Sequence, residues 1–110
     1  MYLIMQGHEK WKWSVVLYSD FTTETYWFNH PQKAFKFAVS KAPQCNEKKL
    51  PYCEWGLYII CCGKNRWYMH ILDNTHKCTG AEHAYFEAIQ SSGFYSEWDN
   101  DIWSIQREGV

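Results

Sequence analysis

Two stretches of the chain repeat one pattern, and that repetition limits what it can fold into. Residues 13–42 read WSVVLYSDFTTETYWFNHPQKAFKFAVSKA, and residues 55–92 read WGLYIICCGKNRWYMHILDNTHKCTGAEHAYFEAIQSS. Each begins with Trp, runs apolar, turns through polar residues, runs aromatic again and closes on helix-spaced apolar positions. Two hairpin–helix units in tandem bury their apolar surfaces by laying the helices on a shared sheet. The expected class is α+β: a two-layer sandwich, an antiparallel sheet with two helices on one face, in the order ββαββαβ. If residues 22–28 were not a strand, the alternative would be a ferredoxin-like βαββαβ fold.

Local signals place the elements. Residues 11–19, rich in Trp, Val, Leu and Tyr, read as a strand. Ser19-Asp20 supplies turn chemistry, and residues 22–28 return. Pro31 suits the first turn of a helix that Asn29 or His30 can cap. Ala34, Phe37 and Ala38 follow at helical spacing, and Pro43 ends the segment. Residues 43–53 form a polar linker. Residues 54–62 and 66–73 read as a hairpin around Gly63-Lys64-Asn65. Thr79-Gly80-Ala81-Glu82 has the form of a capping box. Ala81, Ala84, Tyr85, Ala88 and Ile89 then make one stripe, with Gly93 placed as a C-cap. Residues 101–106 read as a last strand. With 110 residues the chain is expected to be a single domain, 1–110, built of two ββα units (11–42 and 54–92) plus the C-terminal strand.

Composition narrows the function. The longest apolar run, residues 57–62, is far below the roughly 20 residues that span a bilayer, so no membrane is expected. The opening MYLIMQGHEK lacks a signal-peptide pattern. Five cysteines, an odd number, point to reduced thiols and a cytoplasmic setting. Residues 1–78 hold ten Lys/Arg against six Asp/Glu, a balance of +4. Residues 79–110 hold one Arg against six acids, a balance of −5. Only two of the eleven basic residues are Arg, the preferred reader of phosphates and base edges, which disfavours a duplex-binding role.

Alternation sorts the second hairpin into two faces. Trp55, Leu57, Ile59 and Cys61 face Trp67, Met69 and Ile71 on the side covered by helices. Tyr58, Ile60 and Cys62 face Tyr68 and His70 on the other, joined by Val16 and Tyr18 of the first unit. A solvated sheet face is normally polar, and this one is not. Either loops or the N-terminal segment cover it, or it is a platform for a partner, with Tyr18, Tyr58, Tyr68 and His70 as the contact residues. Glu97, Asp99 and Asp101 form an acidic segment expected to dock on a basic partner surface. A calcium loop is excluded there, because Ile102 stands where glycine is required.

Other chemistry is thin. Cys61, Cys62, His70, His76 and Cys78 are the candidate metal ligands. Adjacent cysteines in a strand diverge, so no metal or cofactor is assigned, and His83 is read as solvated. No phosphate loop, nucleophile elbow or HExxH occurs, and no catalytic residue is assigned. Arg66-Trp67-Tyr68 lacks the glycine of an RNA-recognition strand. The expected function is a small non-enzymatic protein-binding module. By analogy of composition, it reads as a virus-encoded inhibitor that blocks a host protein or defence complex in the host cytoplasm, itself a homodimer. The alternative is a single-stranded nucleic-acid-binding domain.

Overall fold

The computed structural model describes residues 1–9 and 11–91. Six strands, β1 (Tyr2–Glu9), β2 (Lys12–Tyr18), β3 (Thr23–Phe28), β4 (Gly56–Gly63), β5 (Arg66–Leu72) and β6 (Asn74–Cys78), form one sheet in the order β3-β2-β1-β4-β5-β6. All neighbouring pairs are antiparallel. Two helices, α1 (Pro31–Lys41) and α2 (Ala81–Ser91), complete the α+β two-layer fold, and both contribute to one core on one face of the sheet. The ferredoxin-like alternative falls because residues 23–28 do form a strand.

The hairpin–helix order expected from sequence gains a strand at the head of the first half and another before α2. Residues 2–9 are no covering segment: β1 lies at the centre of the sheet, between β2 and β4. Its burial alternates, with Leu3, Met5 and Gly7 towards the helices and Tyr2, Ile4, Gln6 and His8 away from them. Each half is therefore βββα, and β1 and β4 meet at the seam, Met5 opposite Ile59.

The internal repeat is real in the structure, but displaced by one strand from the Trp13/Trp55 overlay. Trp13 in β2 pairs with Phe28, and α1 starts three residues later; Trp67 in β5 pairs with Cys78, and α2 starts three residues later. Trp13 thus corresponds to Trp67, and both are buried. Trp55 lies before β4 and is 64% exposed, so it is not a core residue. Ala34, Phe35 and Ala38 of α1 occupy the places of Ala84, Tyr85 and Ala88 in α2. All four alanines are fully buried, which lets both helices approach the sheet closely. Phe35 and Tyr85 stack across the helix pair with centroids 4.4 Å apart. The residues 101–106 read as a strand, Gly93, and Glu97, Asp99 and Asp101 lie outside the described residues.

The helix starts differ from each other in chemistry. His30 caps α1: its Nδ1 accepts the Gln32 N–H at 3.1 Å, and Pro31 follows at the first position. In α2 the first helical bond runs from the Ala84 N–H to the Gly80 carbonyl at 3.1 Å. Thr79 therefore stands one residue outside the helix, and the expected Thr79–Glu82 box does not form. His83 reaches back instead, its Nδ1 accepting the Thr79 N–H at 3.0 Å.

Candidate functional site

The sheet surface turned away from the helices carries every described residue that sequence singled out for partner contact: Tyr18, Tyr58, Tyr68 and His70. The register places Tyr58 opposite His70 and Ile60 opposite Tyr68, with Tyr18 two strands away beside Tyr2. Each of these residues is engaged by a neighbour on this face, and Tyr58 and His70 by one another. Tyr18 stacks on Tyr2 at 4.7 Å and 14°. Tyr58 meets the His70 ring edge-on at 5.5 Å and takes a long hydrogen bond from Gln6 Nε2 at 3.5 Å. The Arg66 guanidinium lies 6.0 Å from the Tyr68 ring.

His70 is only 2% exposed. Its Nε2 donates to the Leu72 carbonyl at 2.8 Å, and its Nδ1 sits 2.5 Å from the Thr75 hydroxyl. Both ring nitrogens are thereby occupied, so His70 serves the packing of the β5–β6 turn, where Leu72 takes a left-handed φ of 60°. Ile60 and Cys62 are fully buried although they face away from the helices. The linker ties down one end of this face: Arg66 Nη1 donates to the carbonyls of Glu47 at 2.9 Å and Lys48 at 3.3 Å. Burial, with Glu47 and Cys53 close by, raises the Tyr2 hydroxyl above its ordinary pKa. All five cysteines are buried and free, and burial pushes Cys53 up to about 11.

Open aromatic surface lies instead at the β3 edge, which composition alone does not single out. Nearly all of β3 is exposed. Phe21 in the turn before it is 95% exposed and Trp27 is 57% exposed. Trp27 projects beside Ser14 on the face away from the helices, and Tyr26 on the helix side. Lys12 Nζ lies 5.3 Å from the Trp27 ring centroid, and the His8 ring 5.0 Å. A shallow cleft of about 600 Å³ opens here, lined by Lys12, Trp27, Phe28, Asn29 and Lys33. His8 and His30 flank this corner. Partial burial, then Lys12, lowers the pKa of His8; partial burial, then Lys33, lowers that of His30.

A second constellation lies at the opposite edge. β6 presents His76 and Cys78 on the helix side, and α2 presents His83 and Glu87 one turn apart. The Glu87 carboxylate contacts His76 Nε2 through Oε2 and His83 Nε2 through Oε1 at 3.0 Å, with Cys78 Sγ 3.8 Å from Oε2. His76 first, then His83, holds the Glu87 carboxyl below the usual range. Of the five metal candidates from sequence, only His76 and Cys78 come together; Cys61 faces the core and Cys62 and His70 the far side. His83, read as solvated, belongs to the cluster. Its i, i+4 spacing to Glu87 on one helix face was the available signal.

Comparison with protein-family models, with curated proteins and with solved structures found no match.

Proposed function

We propose that the chain is a non-enzymatic protein-binding module that engages an extended segment of its partner along the open edge of β3. The contrast between the two sheet edges carries this reading. Exposed edges are usually blunted by short length, lysine, proline or a covering element. β6 follows that rule: it is short, polar and carries Lys77. β3 reads TETYWF, with one charge, no Lys and no Pro, and two of its three aromatics, Tyr26 and Trp27, exposed on alternate faces. Backbone pairing along such an edge supplies affinity, and side chains on alternate faces supply specificity. A module that occupies a partner's strand blocks that partner's own pairing. That is the manner in which an inhibitor of a host complex, the role suggested by composition, would act. The lysines at the corner favour an acidic segment in the partner, the reverse of the basic surface suggested by Glu97, Asp99 and Asp101.

The cleft beside Trp27 supports a second reading, a single-stranded nucleic-acid site. An exposed indole with Lys12 and Lys33 at hand is what base stacking and phosphate contact require.

One experiment separates the two. Partners are captured with the wild type and with a Tyr26→Lys/Trp27→Lys variant, with and without nuclease. A protein retained by the wild type after nuclease and lost from the variant supports strand addition. Loss on nuclease treatment, with oligonucleotide affinity falling steeply as salt rises, replaces it with the nucleic-acid reading. Capture unaffected by either variant charge removes the β3 edge from the function.

A further inference from the structure

Three groups of different donor chemistry converge where β6 meets α2. One ligand atom each from His76, Cys78 and Glu87 all lie within 4.8 Å of one another. We propose that His76, Cys78 and Glu87 form a binding site for a zinc-class divalent cation that staples the edge strand β6 to helix α2.

The placement follows from two periodicities. In β6, positions 76 and 78 are two apart and point to the same face of the sheet. In α2, positions 83 and 87 are four apart and lie on one helix face. The fold sets these faces against each other: Cys78 is buried at the strand's end, and Glu87 leans over it from the helix.

A tetrahedral zinc ion with bonds of about 2.0–2.3 Å separates its donor atoms by roughly 3.3–3.7 Å. Cys78 Sγ and Glu87 Oε2 are already 3.8 Å apart. His76 and Glu87 are closer than a shared ion would hold them, and no pair among the three exceeds 4.8 Å. Shifts of about an ångström, within rotamer adjustment of a half-exposed His and Glu, complete the geometry. The donor set also selects the ion. Sulfur, imidazole nitrogen and carboxylate oxygen together suit a borderline-soft cation, whereas calcium and magnesium demand oxygen throughout.

His83 supplies the outer support such a site needs. Its Nδ1 accepts the Thr79 N–H, so its Nε2 carries the proton and donates to Glu87 Oε1 at 3.0 Å. That bond orients the carboxylate and leaves Oε2 turned towards His76 and Cys78. Ligands held in this way by a second hydrogen-bond partner are the norm in metal sites. Among the described residues the ion-pair partners of Glu87 are His76 and His83 alone, so no Lys or Arg competes with a cation for it. The His76 and Glu87 side chains are 48% and 31% exposed, so water can supply the fourth ligand.

The test uses the full chain freed of metal by chelator. One Zn²⁺ per chain is expected by titration calorimetry, with a rise in Tm. Co²⁺ should give a thiolate-to-cobalt charge-transfer band in the near ultraviolet, displaced by Zn²⁺. Cys78→Ser should abolish the band. His83→Gln should weaken affinity by about 10–100-fold while retaining the band at saturating cobalt. His30→Asn, remote from the cluster, should change neither. Absence of a cobalt band in the wild type overturns the proposal, as does a band that survives Cys78→Ser. If Cys78→Ser does not fold, the exposed His76→Ala decides. A loss of about tenfold or more in affinity supports the site, and unchanged affinity overturns it.

Discussion

At the scale of single residues, histidine carries most of what is specific to this protein. His8 and His30 hold pKa values lowered by burial and by neighbouring lysines. His8 also bonds the buried Ser14 hydroxyl at 2.8 Å, and His30 caps α1. Their folded forms bind a proton less readily than the unfolded chain does. The unfolded state therefore takes up more protons below the ordinary histidine range, and stability falls with it. Their contribution is complete above a pH of about 6.5 and is lost as pH drops towards the depressed folded values. Tm should hold steady from about pH 8 to about pH 6.5 and decline from there towards pH 5. A His8→Gln/His30→Asn variant, in which Asn retains the cap, should show a shallower decline in the same scan. An identical slope would assign the acid sensitivity to other groups. The residue types at these positions are plain in the sequence, but their roles are not. His70, read as a contact residue, and His83, read as solvated, exchange importance because burial and partners depend on strands and helices far apart in the chain.

At the scale of elements, hydrophobic periodicity identified both helices and the strands near residues 12–18, 23–28, 56–63 and 66–72. It missed β1 and β6 for different reasons. In β1 an unbroken apolar start, YLIM, hides the alternation that its neighbours impose on both faces. In β6, NTHKC has little strand propensity and is held by pairing with β5. The two helices are coupled through the Phe35–Tyr85 stack. A double-mutant cycle with Phe35→Leu and Tyr85→Leu should return a coupling of about 0.5–1.5 kcal/mol by chemical denaturation. Additive single-variant losses would mean that each ring packs on the sheet alone and the helices do not support each other.

At the scale of the molecule, the βββα halves share a single seam, the β1–β4 pair, and one core beneath both helices. A fragment of residues 1–44 would expose the β4-facing edge of β1, with half of the core uncovered. Since β1 already pairs antiparallel with β4, its equivalent, the fragment should fold only as a dimer through antiparallel β1–β1 contact. Folding should then depend on concentration in circular dichroism, with twice the fragment mass in light scattering. A stable monomeric fragment would show that the halves fold independently.

The sequence by itself determined the class, both helices and the division of β4 and β5 into an inner and an outer face. Those features follow from local periodicity and from burying one face of each element. Tertiary structure alone decided that residues 2–9 form a central strand, and that Tyr18 packs on Tyr2, Tyr58 on His70 and Tyr68 beside Arg66. It also left the aromatic edge of β3 open and brought His76 and Cys78 beside Glu87. Each of these depends on which strands become neighbours, and strand order is settled by pairing between residues up to about half the chain apart, which no local pattern records.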